Sequence, residues 1–375
     1  MTGATARPIT LLHVFSTFAI GGPQMRFAIL ADRLGPKYRH LIMSMSGQID
    51  AASLLRPGLS YEVVAIRNSR RNSVANVLRF AQAIRRIDPD LLVTYNWGAL
   101  EWAIANRFGP RISHVHVEDG FGPDEAALRF RRRAWLRRLG LGRMTKAVVV
   151  PSRNLERIAH SEWRLPAARI CYLPNGVDTV RFGAAVPEAK RAFTKQPGEL
   201  VVGTCAALRP EKNLARLIRA FAACGARNAR LVICGDGPER QALERVAAAT
   251  GVSERVVFTG YVAKPETALA NFDVFAMSSD TEQMPLGLLE GMAAGLPAAG
   301  TDVGDTRSVV ADENKRFIVP VADSAALTGT LRALLADAAL RAKLGAANQA
   351  KARAEFSIDT MIAAYDRLFE DAGGR

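Results

Sequence analysis

Residues 200–224 read LVVGTCAALRPEKNLARLIRAFAAC. The first nine are apolar or small, which suits a strand buried on both faces. Arg209-Pro210 interrupts the run. From Asn213 the apolar residues Leu214, Leu217, Ile218 and Phe221 recur at the helical spacing. Strand, polar turn and helix in that order make one half of a βαβ unit. The pattern then repeats downstream. RLVICGDGP, RVVFTGYV, DVFAMSS and PAAGTDVG read as strands. The segments PERQALERVAAATG, PETALANF and LGLLEGMAAG between them read as helices. Residues 325–356 read as one long helix, and the tail 357–372 as another.

Upstream the same alternation is present. ITLLHVFS, HLIMSMS, YEVVAI, LLVTYN, RISHVHVE and KAVVVPS read as strands, interleaved with helical segments such as MRFAILADRL and VANVLRFAQAIRRI. Between 174 and 200 the pattern gives way to a stretch rich in Gly, Pro and charge, which marks a domain boundary. The expected fold class is therefore α/β with two Rossmann-like domains, 1–186 and 187–355, and a C-terminal helix over 356–375. In open parallel sheets, ligands bind at the carboxyl ends of strands. Two such domains facing each other would form one cleft, so the turns that follow strands carry the candidate residues.

Composition bounds the alternatives. Hydrophobic residues make up 49% and charged residues 23% of the 375, typical of a soluble globular protein. No uncharged apolar run reaches the roughly 20 residues that span a bilayer, and the apolar start of the chain is too short for a secretory signal. Cys171, Cys205, Cys224 and Cys234 form no CxxC pair, which points to reduced, buried thiols. The formal net charge of +14 is unevenly placed. Residues 1–186 hold 27 Lys+Arg against 13 Asp+Glu, whereas residues 187–375 hold 23 of each. Only the first half is thus expected to face an anionic partner.

Several turns could bind a ligand. Arg209 and Lys212 lie between a strand and a helix N-terminus, where two cations and free N–H groups suit a diphosphate; a solvated basic turn would look the same. Gly235 and Gly237 in CGDGPER allow a tight turn, as do Gly21-Gly22 after the first strand. His114 and His116 share one strand parity, and His116 lies nearer the carboxyl end, where it could polarise a hydroxyl. A satisfied core histidine is the plainer reading. No third residue at recognisable spacing suggests a metal site.

The segment 278–297, SSDTEQMPLGLLEGMAAGLP, holds two glutamates, Glu282 and Glu290, and no basic residue. Buried carboxylates need partners. Pro285 suits the first turn of a helix running to about 294, which leaves Glu282 in the loop before it. Eight helical residues would rise about 12 Å, beyond the roughly 5–9.5 Å of a hydrolytic carboxylate pair. The spacing fits two carboxylates that accept hydrogen bonds from opposite ends of one ligand, with a phosphate at the helix start between them.

These motifs together resemble the GT-B-fold retaining glycosyltransferases of family 4, over nearly the whole chain and most closely over 200–305. Glu282 and Glu290 match the family's Glu-x7-Glu motif. The resemblance implies that Glu282 holds donor-sugar hydroxyls, Glu290 the ribose and Lys212 the diphosphate. Tyr261 and Val262 in FTGYV would lie along the nucleobase segment, and Pro285, Leu286 and Gly287 at the phosphate-facing helix start. PNGVD at 174–178 resembles the interdomain hinge. Gly21 and Gly22 match the N-terminal glycine loop, and His116 the acceptor-side histidine. Ala207 departs from an arginine common in the family, which leaves Arg209 to reach the phosphates. Gln283 replaces the usual glycine after the first glutamate.

The function so implied is metal-independent sugar transfer, with retention, from a nucleotide diphosphate sugar to an acceptor hydroxyl in cell-envelope or exopolysaccharide synthesis. Catalysis would rest on His116 and Glu282, donor binding on the other residues. The expected acceptor is lipid-linked or saccharide. The expected location is cytoplasmic, peripheral on the inner face of the membrane through the basic segment Arg129–Lys146, whose eight basic residues alternate with Phe130, Trp135, Leu136 and Leu139. A solvated basic face explains the same segment. A nucleic-acid role lacks any motif and leaves both glutamates unexplained. A sugar-nucleotide 2-epimerase and a non-catalytic sugar-nucleotide-binding homologue share the architecture and stand as alternatives.

Overall fold

A computed structural model describes residues 7–69, 72–121, 131–142 and 145–374. The chain divides into two compact units, Met1–Pro174 with Met361–Arg375, and Asn175–Thr360.

The first unit is built on a seven-stranded sheet in the order β3-β2-β1-β4-β5-β6-β7. The strands are β1 Ile9–Phe15, β2 Tyr38–Ser44, β3 Tyr61–Val63, β4 Leu91–Tyr95, β5 His114–Val117, β6 Ala147–Val150 and β7 Ile170–Tyr172. Every pairing is parallel, with β1 central between β2 and β4. Side chains alternate across a strand, so β1 feeds two cores. Leu12 and Val14 pack with Leu41, Phe80, Leu92 and Trp102. On the opposite parity, His13 and Phe15 meet Phe27 and Tyr95. The C-terminal helix Ile358–Gly373 closes this second face: Phe369 packs on His13, and Tyr38 Oη donates to Asp366 Oδ1 at 2.6 Å.

The second unit holds a six-stranded sheet in the order β10-β9-β8-β11-β12-β13. Its strands are β8 Leu200–Cys205, β9 Ala229–Cys234, β10 Val256–Gly260, β11 Val274–Met277, β12 Ala298–Thr301 and β13 Ile318–Val319, again all parallel. Val202 packs into a core with Leu217, Ile218 and Phe221, and its neighbour Val201 into another with Phe272, Leu289 and Met292. Both faces of β8 are thus covered, as its unbroken apolar run implies.

Three local readings differ from the expectation. Strands β7 and β13, each at a sheet edge, are too short to show a two-residue period and were not expected. The single helix over 325–356 is two, Ser324–Ala336 and Ala338–Glu355. Asp337 between them is extended and its side chain accepts from Leu340 N, starting a new helix. Pro285 stands at the cap, in extended conformation, and the helix begins at Leu286.

Candidate active site

The expected residues fall on the two units separately. Lys212, Glu282, Glu290, Arg209, Gly235, Tyr261, Val262, Pro285, Leu286 and Gly287 lie on the second. Gly21, Gly22 and His116 lie on the first.

In the second unit the turn after β8 is pinned to the segment after β11. Ser278 Oγ donates to Asn213 O at 2.9 Å, Asp280 N donates to Glu211 O at 2.8 Å, and Arg216 bridges to Asp280 at 2.7 Å. Asn213 adopts the left-handed conformation, φ 40°, at the N-cap of the helix Leu214–Ala223. The outcome is direct contact between two residues that are 70 apart in sequence: Lys212 Nζ donates to Glu282 Oε1 at 2.5 Å. Ser279 Oγ donates to the same oxygen at 2.8 Å. The cation that the segment 278–297 lacks therefore comes from the preceding βα turn.

The helix Leu286–Ala293 starts next to this pair. A Cβ on Gly287 would stand 2.9 Å from Cys205 O, so glycine lets the helix start approach the end of β8. Asn175 Nδ2 donates to Met284 O at 3.1 Å and ties the PNGVD segment to the loop before the helix. The N–H groups of the first helical turn have no intrahelical acceptor and give positive potential. The turn after β9 approaches the same strand end. Gly235 has φ +147°, and a Cβ there would lie 1.9 Å from Ala206 O. Only glycine fits. Gly235 N also donates to Gly260 O at 2.8 Å, which places the start of the Tyr261-Val262 segment. Tyr261 is 72% exposed. Arg209 is largely exposed and only 4.0 Å from Glu211.

Glu290, inside the helix, is partly buried. Desolvation pushes its carboxyl up to about 7; Arg181 opposes this and Glu266 adds to it. Arg181 is itself bonded to Glu266 at 2.6 Å. Sequence reading missed Arg181, Glu266 and Ser279. Ser279 lies three residues before Glu282, a local spacing that could have signalled it. The other two are brought in by tertiary packing alone.

In the first unit Gly21 is extended, φ −168°, and caps the helix Gly22–Leu34. His116 is buried. Its Nδ1 lies 2.8 Å from Thr94 Oγ1 and its Nε2 3.5 Å from Glu118 Oε2. The same Thr94 hydroxyl lies 2.8 Å from His114 Nε2, and His114 Nδ1 is 3.0 Å from Thr145 Oγ1. Arg137 Nε donates to Glu118 Oε2 at 3.0 Å, with both side chains buried. Desolvation would raise the Glu118 carboxyl, but Arg137 and His116 together hold it below its ordinary value. This corrects the reading of the basic helix. Arg137, counted as part of a basic surface, is a buried counter-ion that also faces the Trp97 and Trp163 rings. Within Arg131–Leu141, Arg131, Arg132, Trp135 and Arg138 are exposed. Arg129, Phe130 and Arg143 lie outside the described residues.

All four cysteines are free thiols. Among the described residues, no group of three or more His, Cys, Asp or Glu is placed to hold a metal ion, and no helix is long and apolar enough to cross a membrane.

Comparison with known proteins accounts for both units. The family model described as Glycosyltransferase Family 4 matches residues 20–181, and that described as Glycosyl transferases group 1 matches residues 186–351. A 2-deoxystreptamine N-acetyl-D-glucosaminyltransferase of Streptomyces fradiae is 29% identical over 386 residues, covering 93% of this chain and 90% of that one. A GDP-mannose-dependent alpha-(1-6)-phosphatidylinositol monomannoside mannosyltransferase of Mycolicibacterium smegmatis is 34% identical over 198 residues, about half of each protein: 49% of this chain and 52% of that one. Among solved structures, Anabaena HepE in complex with UDP and glucose matches with a TM-score of 0.82 at 19% identity, covering 97% of this chain and 100% of that one. With two Rossmann-like units, each built on a parallel sheet, and with both modules matched in order, the chain belongs to the group 1 glycosyltransferases, whose fold is GT-B.

Proposed function

We propose that this glycosyltransferase moves a sugar from a nucleotide diphosphate sugar to an acceptor hydroxyl with retention and without a metal ion. The observation that carries the reading is the Lys212–Glu282 pair at 2.5 Å beside the start of the helix Leu286–Ala293. The helix start and Lys212 supply positive charge where a departing diphosphate needs it. Arg209, on the same turn and exposed, adds to that charge. Glu282 accepts hydroxyls of the donor sugar, releasing Lys212 to the phosphates as the ligand enters. Glu290 accepts from the ribose, and the exposed Tyr261 with Val262 lies along the base. Gly235 admits the ligand close to the backbone. On the first unit, Gly21 and Gly22 form the glycine loop and His116 serves the acceptor side. In a retaining transfer without a protein nucleophile, the leaving phosphate itself accepts the acceptor proton.

The reading extends to a cell-envelope or exopolysaccharide acceptor, lipid-linked or saccharide. The mannosyltransferase relative, which is named for a phosphatidylinositol monomannoside, supports this. A cytoplasmic location, peripheral on the membrane, would use the exposed Arg131, Arg132, Trp135 and Arg138. Liposome flotation with anionic and neutral vesicles tests the surface; absence of salt-sensitive binding removes it.

The central experiment is donor turnover over a panel of UDP-, GDP- and ADP-sugars, with wild type and Glu282→Ala. Transfer to an added acceptor that falls at least about 100-fold in the variant supports the assignment. Unchanged turnover in the variant refutes it. Release of free nucleotide diphosphate and an epimerised sugar would instead identify a 2-epimerase.

A further inference from the structure

Five side chains run in line through the interior of the first unit. They begin at Thr145, just before β6, pass along β5, and end at Glu118 beyond its carboxyl end. The links are Thr145–His114 at 3.0 Å, His114–Thr94 at 2.8 Å, Thr94–His116 at 2.8 Å and His116–Glu118 at 3.5 Å. All five side chains belong to buried residues. The parallel register of β4 and β5 sets Thr94 beside His116. Buried donors need acceptors, so the direction of every link is constrained.

A carboxylate only accepts, and Arg137 holds Glu118 in that form. His116 Nε2 must therefore carry a proton. If His116 is neutral, its Nδ1 accepts from the Thr94 hydroxyl. Thr94 Oγ1 then accepts from His114 Nε2–H, and His114 Nδ1 accepts from the Thr145 hydroxyl. Every link of the chain is then satisfied. If His116 is an imidazolium, its Nδ1–H donates to Thr94. The Thr94 proton must then turn to His114 Nε2, and His114 must carry its proton on Nδ1, directed at Thr145. Again every link is satisfied. With His114 neutral, these two directions are the only complete ones.

We propose that Thr145, His114, Thr94 and His116 form a buried proton relay in which the charge of His116 sets the tautomer of His114. Conversion between the two directions moves three protons one position each: Thr145 Oγ1 to His114 Nδ1, His114 Nε2 to Thr94 Oγ1, and Thr94 Oγ1 to His116 Nδ1. One proton taken up from a hydronium ion restores the Thr145 hydroxyl and leaves water behind, so the chain gains one proton net, held on His116, and each link keeps its hydrogen bond. Among the described residues, the charged or titratable groups tied to His116 are His114 on its own strand, Glu118 beyond the strand end, and Arg137 acting through Glu118 from the helix Arg131–Leu141. Asp119 at the strand exit is paired with Arg26 at 2.5 Å. Burial and the neighbouring His116 hold the His114 ring down to about 3, which keeps it neutral and free to switch tautomer. His114 and Thr94 act here as positioning residues; the relay stands or falls independently of the donor-site assignment.

The test is long-range proton–nitrogen NMR of the full chain labelled with 15N-histidine, through a pH titration. The chain has only five histidines, so the ring signals are few. At high pH both His114 and His116 should be Nε2–H tautomers. As His116 takes up a proton, the His114 nitrogens should exchange character, Nδ1 becoming protonated and Nε2 bare, with the same midpoint. Thr94→Ser should keep this linkage. Thr94→Val should leave His116 titrating while His114 no longer follows. The relay is overturned if His114 keeps one tautomer while His116 titrates in the wild type. It is overturned equally if His116 is Nδ1–H at high pH, or never charges in the folded range. The wild-type spectrum alone decides these points should Thr94→Val fail to fold.

Discussion

Replacing Glu290 with glutamine should stabilise the protein at pH 8 and leave it little changed near pH 4.5. Burial raises the Glu290 carboxyl from 4.5 to about 7 in the folded chain, against the pull of Arg181. Between these values the folded chain holds a proton that the unfolded chain has lost. Stability therefore falls as pH rises through this window and levels off above it. At about 1.4 kcal/mol for each pKa unit, the ceiling is about 3.4 kcal/mol. Partial exposure and water entry lower it, and a gain of about 1.5–3 kcal/mol in Glu290→Gln at pH 8 is expected. Glutamine keeps the shape of the neutral acid and never ionises. The assay is denaturant unfolding of wild type and variant at several pH values between 4.5 and 8. The difference should grow with pH and flatten above 7. Parallel curves, offset equally at every pH, would refute the claim that desolvation governs this carboxyl. The same variant should bind donor more weakly. A charge-assisted hydrogen bond is worth about 1.5–3 kcal/mol, so its dissociation constant should rise about 10- to 150-fold at pH 8.

Other substitutions separate the remaining parts of the site. Lys212→Ala should lower turnover about 10²- to 10³-fold, the usual effect of losing one charge-stabilising donor, with thermal unfolding little changed; steady-state kinetics beside a melting curve will show it. Gly235→Ala forces a side chain to within 1.9 Å of Ala206 O, and should abolish nucleotide binding in calorimetric titration. Arg137→Met leaves Glu118 buried without its cation and should cost about 3–5 kcal/mol of stability. Adding Glu118→Leu should recover much of that loss in the same unfolding assay.

The sheets were legible because strands buried on both faces are unbroken apolar runs, as in LVVGTC and AVVV. The two edge strands β7 and β13 carry only three and two residues, too few to show any period. The break at Asp337 was hidden by a good helical composition on both sides, and only the cap to Leu340 N reveals it. At the site, Lys212, Glu282 and Glu290 could each be found from their position in a turn or helix. Their partners could not. Lys212 reaches Glu282 because Asp280 and Ser278 fasten one loop to another, an outcome of sheet order rather than local pattern. Arg137 misled for the same reason. Within a run of arginines nothing local separates the one that turns inward to Glu118 from those facing water.

The two glutamates of the segment 278–297 sit in different electrostatic surroundings. Glu282 is already compensated by Lys212 at 2.5 Å and by the Ser279 hydroxyl. Arg181, the cation that acts on Glu290, is bonded to Glu266 instead, and desolvation wins. Environments that separate two like groups in this way assign them different tasks. Under the proposed function, a ligand must displace Lys212 to reach Glu282, and the cation so freed meets the phosphates in the same movement. A ligand that reaches Glu290 must instead supply hydrogen bonds strong enough to ionise a carboxyl titrating near 7. Donor binding should therefore release a proton at pH 6 and almost none at pH 8. Calorimetry in buffers of different ionisation enthalpy measures this directly. Equal proton release at both pH values would mean that Glu290 does not accept the ligand's hydroxyls.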